Sequence, residues 1–272
     1  MGRRRDATST WLLKAPSFYV VTTLPIGDPQ MNRTSCLVFC VLSLAAASVT
    51  LAQTAPTSKT TLTTDLGVVS SSGNTRLSTI NVGNKLTHSV RKWVFTQLST
   101  YVYGETEGLA SANQLRASVR SDYAFATRLS VFTAASYERN RFAGFTRRTD
   151  ELLGVSWKAM GLARDTLALD AGGVLTQSRF VDSTEKNYPA ARIATAYKHA
   201  FSSASYFQQL AEYLPNLESS GEYRLNTESA LIAPISSHAA IKLSYVIRYD
   251  SAPAVGFGTT DRILTAGIQV SF

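Results

Sequence analysis

Apolar and polar residues alternate along most of the chain after residue 60. In Ile241–Asp250, Ile, Leu, Tyr, Ile and Tyr occupy one set of alternate positions, and Lys, Ser, Val, Arg and Asp occupy the other. The same period of two recurs in Leu115–Tyr123, in Tyr223–Leu231 and in Leu264–Phe272. Because successive side chains of a strand point to opposite faces, this pattern predicts β-strands with one apolar and one polar face.

Clusters of turn residues divide the alternating region into twelve predicted strands. Short connections alternate with longer ones, and an even strand number places both ends of the region on the short-turn side. The longer connections are predicted at 70–75, 104–112, 181–186, 215–221 and 251–259. The predicted strands span 60–69, 76–87, 92–103, 113–125, 128–141, 148–158, 165–180, 187–198, 203–214, 222–233, 238–250 and 260–272.

Strand length and aromatic placement separate two all-β folds. Strands of about ten residues suit a tilted membrane strand better than a soluble sandwich, whose strands run nearer five or six. Aromatic residues such as Trp93, Tyr123 and Trp157 lie near predicted strand ends, where interfacial girdles occur. The competing fold is a soluble β-sandwich or lipocalin-like barrel with its apolar face inward. We predict an all-β fold, a transmembrane antiparallel up-and-down β-barrel of about 12 strands.

The first 52 residues have the pattern of an export leader. A basic start at Met31 precedes an apolar stretch from Cys36, and small residues precede a predicted cleavage near Ala52–Gln53. An uncleaved anchor is the alternative. Both cysteines of the chain lie in this stretch, so the mature chain has neither a disulfide framework nor a cysteine metal site. The predicted organisation is 1–30 an over-extended start, 31–52 a secretory signal peptide, 53–59 a linker and 60–272 the barrel.

Net charge changes the picture little. The chain carries 27 Lys and Arg against 19 Asp and Glu, a net charge of +8. Removing residues 1–52 takes away five basic and two acidic residues and leaves a net charge of +5. This small excess and the predicted export argue against nucleic acid as a partner. With 44% hydrophobic and 17% charged residues, the chain does not have the composition of a disordered protein.

The last strand and two loops carry recognisable sequences. The chain ends in an alternating strand with a terminal Phe, which resembles the signal read by the outer-membrane barrel assembly machinery; its residues are Gly267, Val270 and Phe272. A Ser-Gly-Asn-Thr sequence lies in the first predicted hairpin, and a Tyr-Asp-Ser-Ala-Pro sequence, followed by a Gly and a Thr-Asp pair, precedes the last strand. The loop residues concerned are Gly73, Asn74, Thr75, Asp250, Pro253 and Asp261.

In order and position, these loop motifs resemble the family named domain of unknown function 481, described as salt-induced outer-membrane proteins. The resemblance covers about residues 60–272. It implies an integral protein of the bacterial outer membrane and no particular activity. The implied partners are outer-membrane lipid and, during biogenesis, the barrel assembly machinery and periplasmic chaperones.

The polar strand face carries charges of both signs, and it is the candidate site. Because charges away from bulk water must be paired, this face predicts either a cross-braced interior or a narrow pore whose charges select a small solute. The arginines could form an anion-attracting strip. The residues singled out are Arg116, Arg120, Asp170, Arg192, Arg224, Glu228 and Arg248. The other charged residues on this face are Asp65, Asp122, Glu138, Asp150, Lys158, Lys198, Glu212, Lys242, Asp250 and Asp261.

Three functions follow, and the narrow pore for small solutes is the leading one. The alternative is a structural or salt-stress envelope protein with a closed lumen. An outer-membrane lipid-modifying enzyme ranks third, because His88, His199 and His238 all lie near predicted periplasmic turns, with no Ser–His arrangement within a strand. We therefore predict no enzyme activity, no catalytic or metal site and no cofactor.

Overall fold

The computed structural model describes residues 58–71, 77–203 and 205–272; the predicted signal peptide and the residues before it lie outside them. Within these ranges, twelve antiparallel strands close into one barrel, and a single 3₁₀ turn, Arg141–Ala143, joins the fifth strand to the sixth. The strands are β1 (Ser58–Ser71), β2 (Leu77–Val90), β3 (Trp93–Thr106), β4 (Leu109–Ala124), β5 (Leu129–Asn140), β6 (Phe145–Gly161), β7 (Asp165–Phe180), β8 (Glu185–Ala200), β9 (Tyr206–Pro215), β10 (Tyr223–Pro234), β11 (Ala239–Asp250) and β12 (Thr260–Ser271).

The two faces of the strands differ as the alternation predicts. Leu264 and Ile268 point outward and are 64% and 50% exposed, whereas the inward Phe132 is 2% exposed. Most charged strand residues lie on the inner face, and large apolar residues dominate the outer one. A closed barrel with an apolar exterior and a polar interior is a transmembrane barrel, since closure satisfies every strand edge inside lipid. The predicted fold class is therefore confirmed. In the described part of the chain, no helix has the length and apolar character needed to cross a membrane.

Closure joins the first strand to the last. The register between β1 and β12 runs from Thr63↔Ser271 to Gly67↔Gly267. Gly67 and Gly267 face each other, and a Cβ at Gly267 would overlap the Leu66 carbonyl oxygen and the Gly67 Cα. The two strands approach this closely only because both positions are glycine.

One predicted loop is wrong. The connection expected at 104–112 is a two-residue turn of Glu107 and Gly108, with φ values of 53° and 79°, as a tight hairpin requires. The small residues that suggested a loop remain in strands, and the pairing continues to Thr106↔Leu109 after a bulge at Gly104. The strands continue through these small residues because the backbone hydrogen bonds to the neighbouring strand do not depend on the side chains.

The barrel has two distinct ends. We name the end that holds Ser58 and Phe272 the terminal end and the opposite one the loop end. The connections 216–222 and 251–259 lie at the loop end. There the 251–259 loop covers the β5–β6 turn so closely that a Cβ on Gly144, whose φ is 87°, would lie 2.5 Å from the Ala254 Cβ.

Candidate functional site: the charged barrel lumen

The inner wall gathers the charges that the sequence singled out. All seven residues, Arg116, Arg120, Asp170, Arg192, Arg224, Glu228 and Arg248, lie on inward positions of β4, β7, β8, β10 and β11. Each of these residues occupies one of the alternate strand positions that face the lumen. Residues paired across neighbouring strands, such as Asn226 and Arg248, point to the same side of the wall. Strand alternation alone thus brings residues from distant parts of the sequence to one surface.

A chain of ion pairs runs from β4 through β7 and β8 to β9 in the middle of the lumen. Asp170 accepts hydrogen bonds from Arg120 Nη1 at 2.6 Å and Arg192 Nη1 at 3.1 Å. Arg120 also binds both carboxylate oxygens of Asp122, and Arg192 Nε donates to Glu212 Oε1 at 2.6 Å. Charge-assisted bonds of this kind fix guanidinium planes as well as neutralise them. This chain of ion pairs, which we name the ion-pair ladder, is therefore rigid.

The aromatic ring of Phe132 packs against the ion-pair ladder. Its ring lies under the Arg120 guanidinium, with 3.9 Å between the guanidinium carbon and the ring centroid. The ring fits flat against the wall because β6 has a glycine beside it: a Cβ on Gly154 would come within 2.8 Å of the ring. A cation over a desolvated aromatic face is stabilised by about 2 kcal/mol.

Nearer the loop end, ion pairs cross the lumen. Glu138 on β5 and Arg248 on β11 stand six strands apart in the barrel order, on opposite walls, yet Arg248 Nη1 donates to Glu138 Oε1 at 2.8 Å. Arg116 adds a longer contact to the same carboxylate at 4.0 Å. A direct side-chain bond between opposite walls narrows the lumen at that point.

Two more pairs cross close to this one. Arg224 on β10 binds Asp150 on β6 through two hydrogen bonds of 2.9 and 3.2 Å. Thr176 donates to the same carboxylate at 2.7 Å. Arg148 on β6 reaches Asp250 on β11 at 3.1 Å. Arg224, Asp150 and Arg148 are all buried, so these charges depend on each other rather than on water.

An apolar cluster fills the rest of the wall beside these pairs. Val174, Ala190 and Leu214 form its buried centre, and Leu152 and Tyr188 pack against it. Two cavities lined by described residues at this level measure about 20 and 40 Å³. Side chains of the described residues therefore occupy much of the loop half of the lumen.

Space opens below this level. A cavity of about 420 Å³ occupies the middle of the barrel, where β1, β2 and β12 present Gly67, Gly83 and Gly267. Lys242 spans part of it and contacts Asp65 at 2.6 Å and Glu228 at 3.7 Å. A second cavity of about 620 Å³ lies at the terminal end. The two cavities adjoin, because both are lined by Ala168, Ala196 and Leu210.

The lumen differs from the expected anion-attracting strip. Each of the five arginines, Arg116, Arg120, Arg192, Arg224 and Arg248, has a carboxylate oxygen within 4.0 Å. A guanidinium that is already paired offers little charge to a passing anion, so this arrangement does not support the strip.

Sequence reasoning also missed several lumen residues. Arg148, Phe132 and Lys85 were not singled out. Parity with Asp150 and Lys158 could have identified Arg148 as inward, because the three share one face of β6. Phe132 shares the parity of Glu138 on β5, which could have identified it as inward, although an aromatic residue on a membrane strand is more often expected to face lipid.

The three histidines lie near the terminal end, each with a local partner. His88 Nδ1 contacts the Thr60 hydroxyl and His238 Nδ1 the Ser237 hydroxyl, both at 2.8 Å. His199 Nδ1 lies 2.8 Å from Asp165, which also accepts a hydrogen bond from the Tyr197 hydroxyl. No serine hydroxyl contacts His199 among the residues described. Nor do the described residues contain a group of three or more His, Cys, Asp or Glu able to hold a metal ion.

The predicted motif residues fall into three groups. Gly73, Asn74 and Thr75 lie outside the described residues. Asp250 binds Arg148, Pro253 lies in the 251–259 loop and Asp261 lines the small cavity beside Glu138. At the terminal end, Phe272 exchanges backbone hydrogen bonds with Leu62 at 2.8 and 3.0 Å, and its side chain is 70% exposed. Gly267 and Val270 lie on the closing strand, with Val270 on its outward face.

Outside the strands, two loop-end carboxylates are held ionised. The Lys186 ammonium hydrogen-bonds Glu222 and lowers the pKa of that carboxyl, with help from the Asn216 amide. Thr184 donates its hydroxyl and backbone N–H to Asp182 and lowers its pKa as well. These carboxylates order the loops 216–222 and 181–184 rather than form a pocket.

The fold and the lumen together define a transmembrane β-barrel with a charge-paired interior. The chain belongs to the family described as "Protein of unknown function, DUF481", whose profile matches residues 64–272. This finding confirms the resemblance drawn from the two loop motifs.

Solved barrels resemble the chain in fold. The NanC porin is 7% identical with a TM-score of 0.45, over 78% of this chain and 97% of that one. The KdgM porin is 12% identical with a TM-score of 0.44, over 79% and 99%. The translocator domain of autotransporter NalP from Neisseria meningitidis is 10% identical with a TM-score of 0.42, over 88% and 94%. No curated protein matches the sequence.

Proposed function

We propose that this protein is an integral barrel of the bacterial outer membrane with a closed lumen, and that it serves the envelope structurally rather than as an open pore. The observation that carries the proposal is the Glu138–Arg248 bond between opposite walls. Two further crossing pairs and the apolar cluster at the same level support it.

The outer membrane is the setting that suits this barrel. Single-chain barrels of that membrane have an even number of strands, short turns at the end that holds the termini and longer loops outside. The twelve described strands, and the position of the two longest described connections, agree with that pattern. In this orientation the terminal end faces the periplasm and the loop end faces the exterior.

The energetics favour a lasting closure. An ion or solute crossing the loop half must separate buried ion pairs, and a buried charge left without its partner costs about 3–5 kcal/mol. Three pairs and an apolar cluster stand at this level. Thermal fluctuation would open such a barrier only rarely, which suits a bracing role.

One observation favours a second candidate, the narrow pore. The adjoining cavities of about 420 and 620 Å³ give the lumen an aqueous path from the terminal end to its middle. If the crossing pairs could part together, this path would reach the exterior. The barrel would then be a gated channel in its shut state.

Planar-bilayer recording distinguishes the two candidates. The mature chain, Gln53–Phe272, is refolded, and its insertion is verified by heat-modifiable gel mobility. We expect an inserted barrel that carries no steady current. Discrete conductance steps in the unmodified barrel would refute the closed lumen and establish the pore.

Two neighbouring substitutions on β6 refine this experiment. Asp150→Asn removes one charge of a crossing pair, whereas Glu151→Gln removes a similar charge from the outward face. We expect brief current events for Asp150→Asn and silence for Glu151→Gln. Equal behaviour of the two variants would show that the crossing pairs are not the barrier.

A further inference from the structure

The cavity at the terminal end has an unusual charge. Its lining includes four basic residues, Lys85, Arg128, Lys158 and Lys198, and no carboxylate from the described part of the chain. The lysines come from β2, β6 and β8, so they reach the cavity from separate parts of the wall. This basic vestibule, as we name the four residues and their cavity, contrasts with the charge-balanced lumen above it.

Among the described residues, the lysines of the vestibule form no direct ion pair. Within the described residues, no Asp or Glu oxygen lies within 4.0 Å of the ammonium groups of Lys85, Lys158 or Lys198, although Lys242 just above is held by Asp65 and Glu228. Lys198 rests over the Tyr206 ring at 3.8 Å. Lys85 is repelled by Lys242 and Lys198 and attracted, at a greater distance than an ion pair, by Glu228 and Asp65. Like charges enclosed between low-dielectric walls attract anions strongly.

We infer that the basic vestibule is a binding site for small multivalent anions, such as phosphate-bearing solutes, that reach it from the terminal end. The inference rests on the proposed function only for the side of access, since the filled loop half blocks the other route. The site itself depends on the three unpaired lysines and on the space between them.

The remaining lining suits such a ligand. Ser130 and Thr166 supply hydroxyl donors, and Gln208 supplies an amide donor. Ammonium groups on flexible stems bind phosphate as point charges without demanding one geometry. A volume of about 620 Å³ exceeds the needs of a single inorganic phosphate and accommodates pyrophosphate or a longer chain. We therefore expect the affinity for an anion to depend more on its number of negative charges than on its shape.

Titration calorimetry with inorganic pyrophosphate tests the inference on the refolded mature chain in neutral detergent. The test variant is Lys85→Gln, Lys158→Gln, Lys198→Gln combined. The matched control is Lys92→Gln, Arg147→Gln, Arg262→Gln, which removes the same number of positive charges from positions outside the vestibule. Both variants are first checked for heat-modifiable mobility, so that only folded barrels are compared.

We expect saturable binding to the unmodified barrel, at least tenfold weaker binding to the vestibule variant and unchanged binding to the control. Binding should weaken as sodium chloride is raised, because the anion competes with chloride. Equal weakening in both variants would show that pyrophosphate responds to the net charge of the barrel and not to the vestibule, and would overturn the inference. Absence of saturable binding to the unmodified barrel would overturn it as well.

Sidedness separates this inference from the proposed function. In vesicles with oriented barrels, pyrophosphate should protect Lys85, Lys158 and Lys198 from an amine-reactive label only when added at the terminal end. Protection from both ends would show that the loop half is open and refute the closed lumen, while the binding site would stand. Calorimetric binding with no protection of these lysines from either end would instead move the site elsewhere and overturn the inference.

Discussion

The Arg224–Asp150 pair offers the sharpest test of the lumen. Arg224 and Asp150 side chains are 8% and 12% exposed, and they share two hydrogen bonds. Asp150→Asn preserves the size and the polar contact to Thr176 but leaves the Arg224 charge unpaired. Removing one partner of a buried pair destabilises a protein by about 3–5 kcal/mol, whereas an exposed pair contributes at most about 1 kcal/mol. We expect the larger loss.

Urea unfolding of the refolded barrel in lipid vesicles measures this loss, followed by tryptophan fluorescence. Glu151→Gln on the outward face breaks no ion pair among the described residues, so it should not lower the free energy of unfolding by a comparable amount. The double variant Asp150→Asn, Arg224→Gln should recover part of the stability, because it leaves no unpaired charge. A loss below about 1 kcal/mol in Asp150→Asn would show that water reaches the pair and would refute the argument for a dry, closed level.

Three further predictions concern packing, closure and pH. Phe132→Ala should destabilise the barrel by about 3–5 kcal/mol in the same urea assay, and Phe132→Leu by clearly less, since it keeps much of the volume under Arg120; similar losses would contradict the support assigned to the ring. Gly267→Ala should lower the yield of heat-modifiable barrel because the new Cβ meets Leu66 and Gly67, whereas Gly173→Ala, where the space is open, should assemble normally. Because the folded pKa of Glu222 is lowered, its contribution is present above the unfolded value, near 4.3, and is lost as pH falls through the folded pKa. Lys186→Gln should remove that acid-side loss, and an unchanged pH profile in this variant would exclude the pair as its source.

The alternating pattern was sufficient for the barrel and its faces. Each inward charge follows from strand parity, so Arg116 and Arg248 could be placed on one surface without any knowledge of the fold. The limits of the strands were less predictable, as Gly104 and Ala112 show. Backbone pairing with a neighbouring strand, rather than side-chain preference, determined where β3 and β4 end.

The pairing inside the lumen could not be predicted from the sequence. Parity places Glu138 and Arg248 on the inner wall but does not say which depth each reaches or which wall lies opposite. Those relations depend on the stagger of the strands, which accumulates around the barrel. Parity likewise places Phe132 on the inner wall but does not show that its ring lies against Gly154 of β6 and beneath the Arg120 guanidinium.

The short ladder between the first and last strands has a mechanical consequence. β1 pairs with β2 from Ser58↔Val90 to Ser71↔Leu77, but its described register with β12 ends at Gly67↔Gly267. The contact between β1 and β12 is therefore the shorter of the two strand pairings that β1 makes, and it is the one that closes the barrel. Under lateral tension from the surrounding lipid, the wall should part along this line first and re-form there last. In folding, the other strand pairs would then form first, and the pairing of β12 with β1 would close the barrel last.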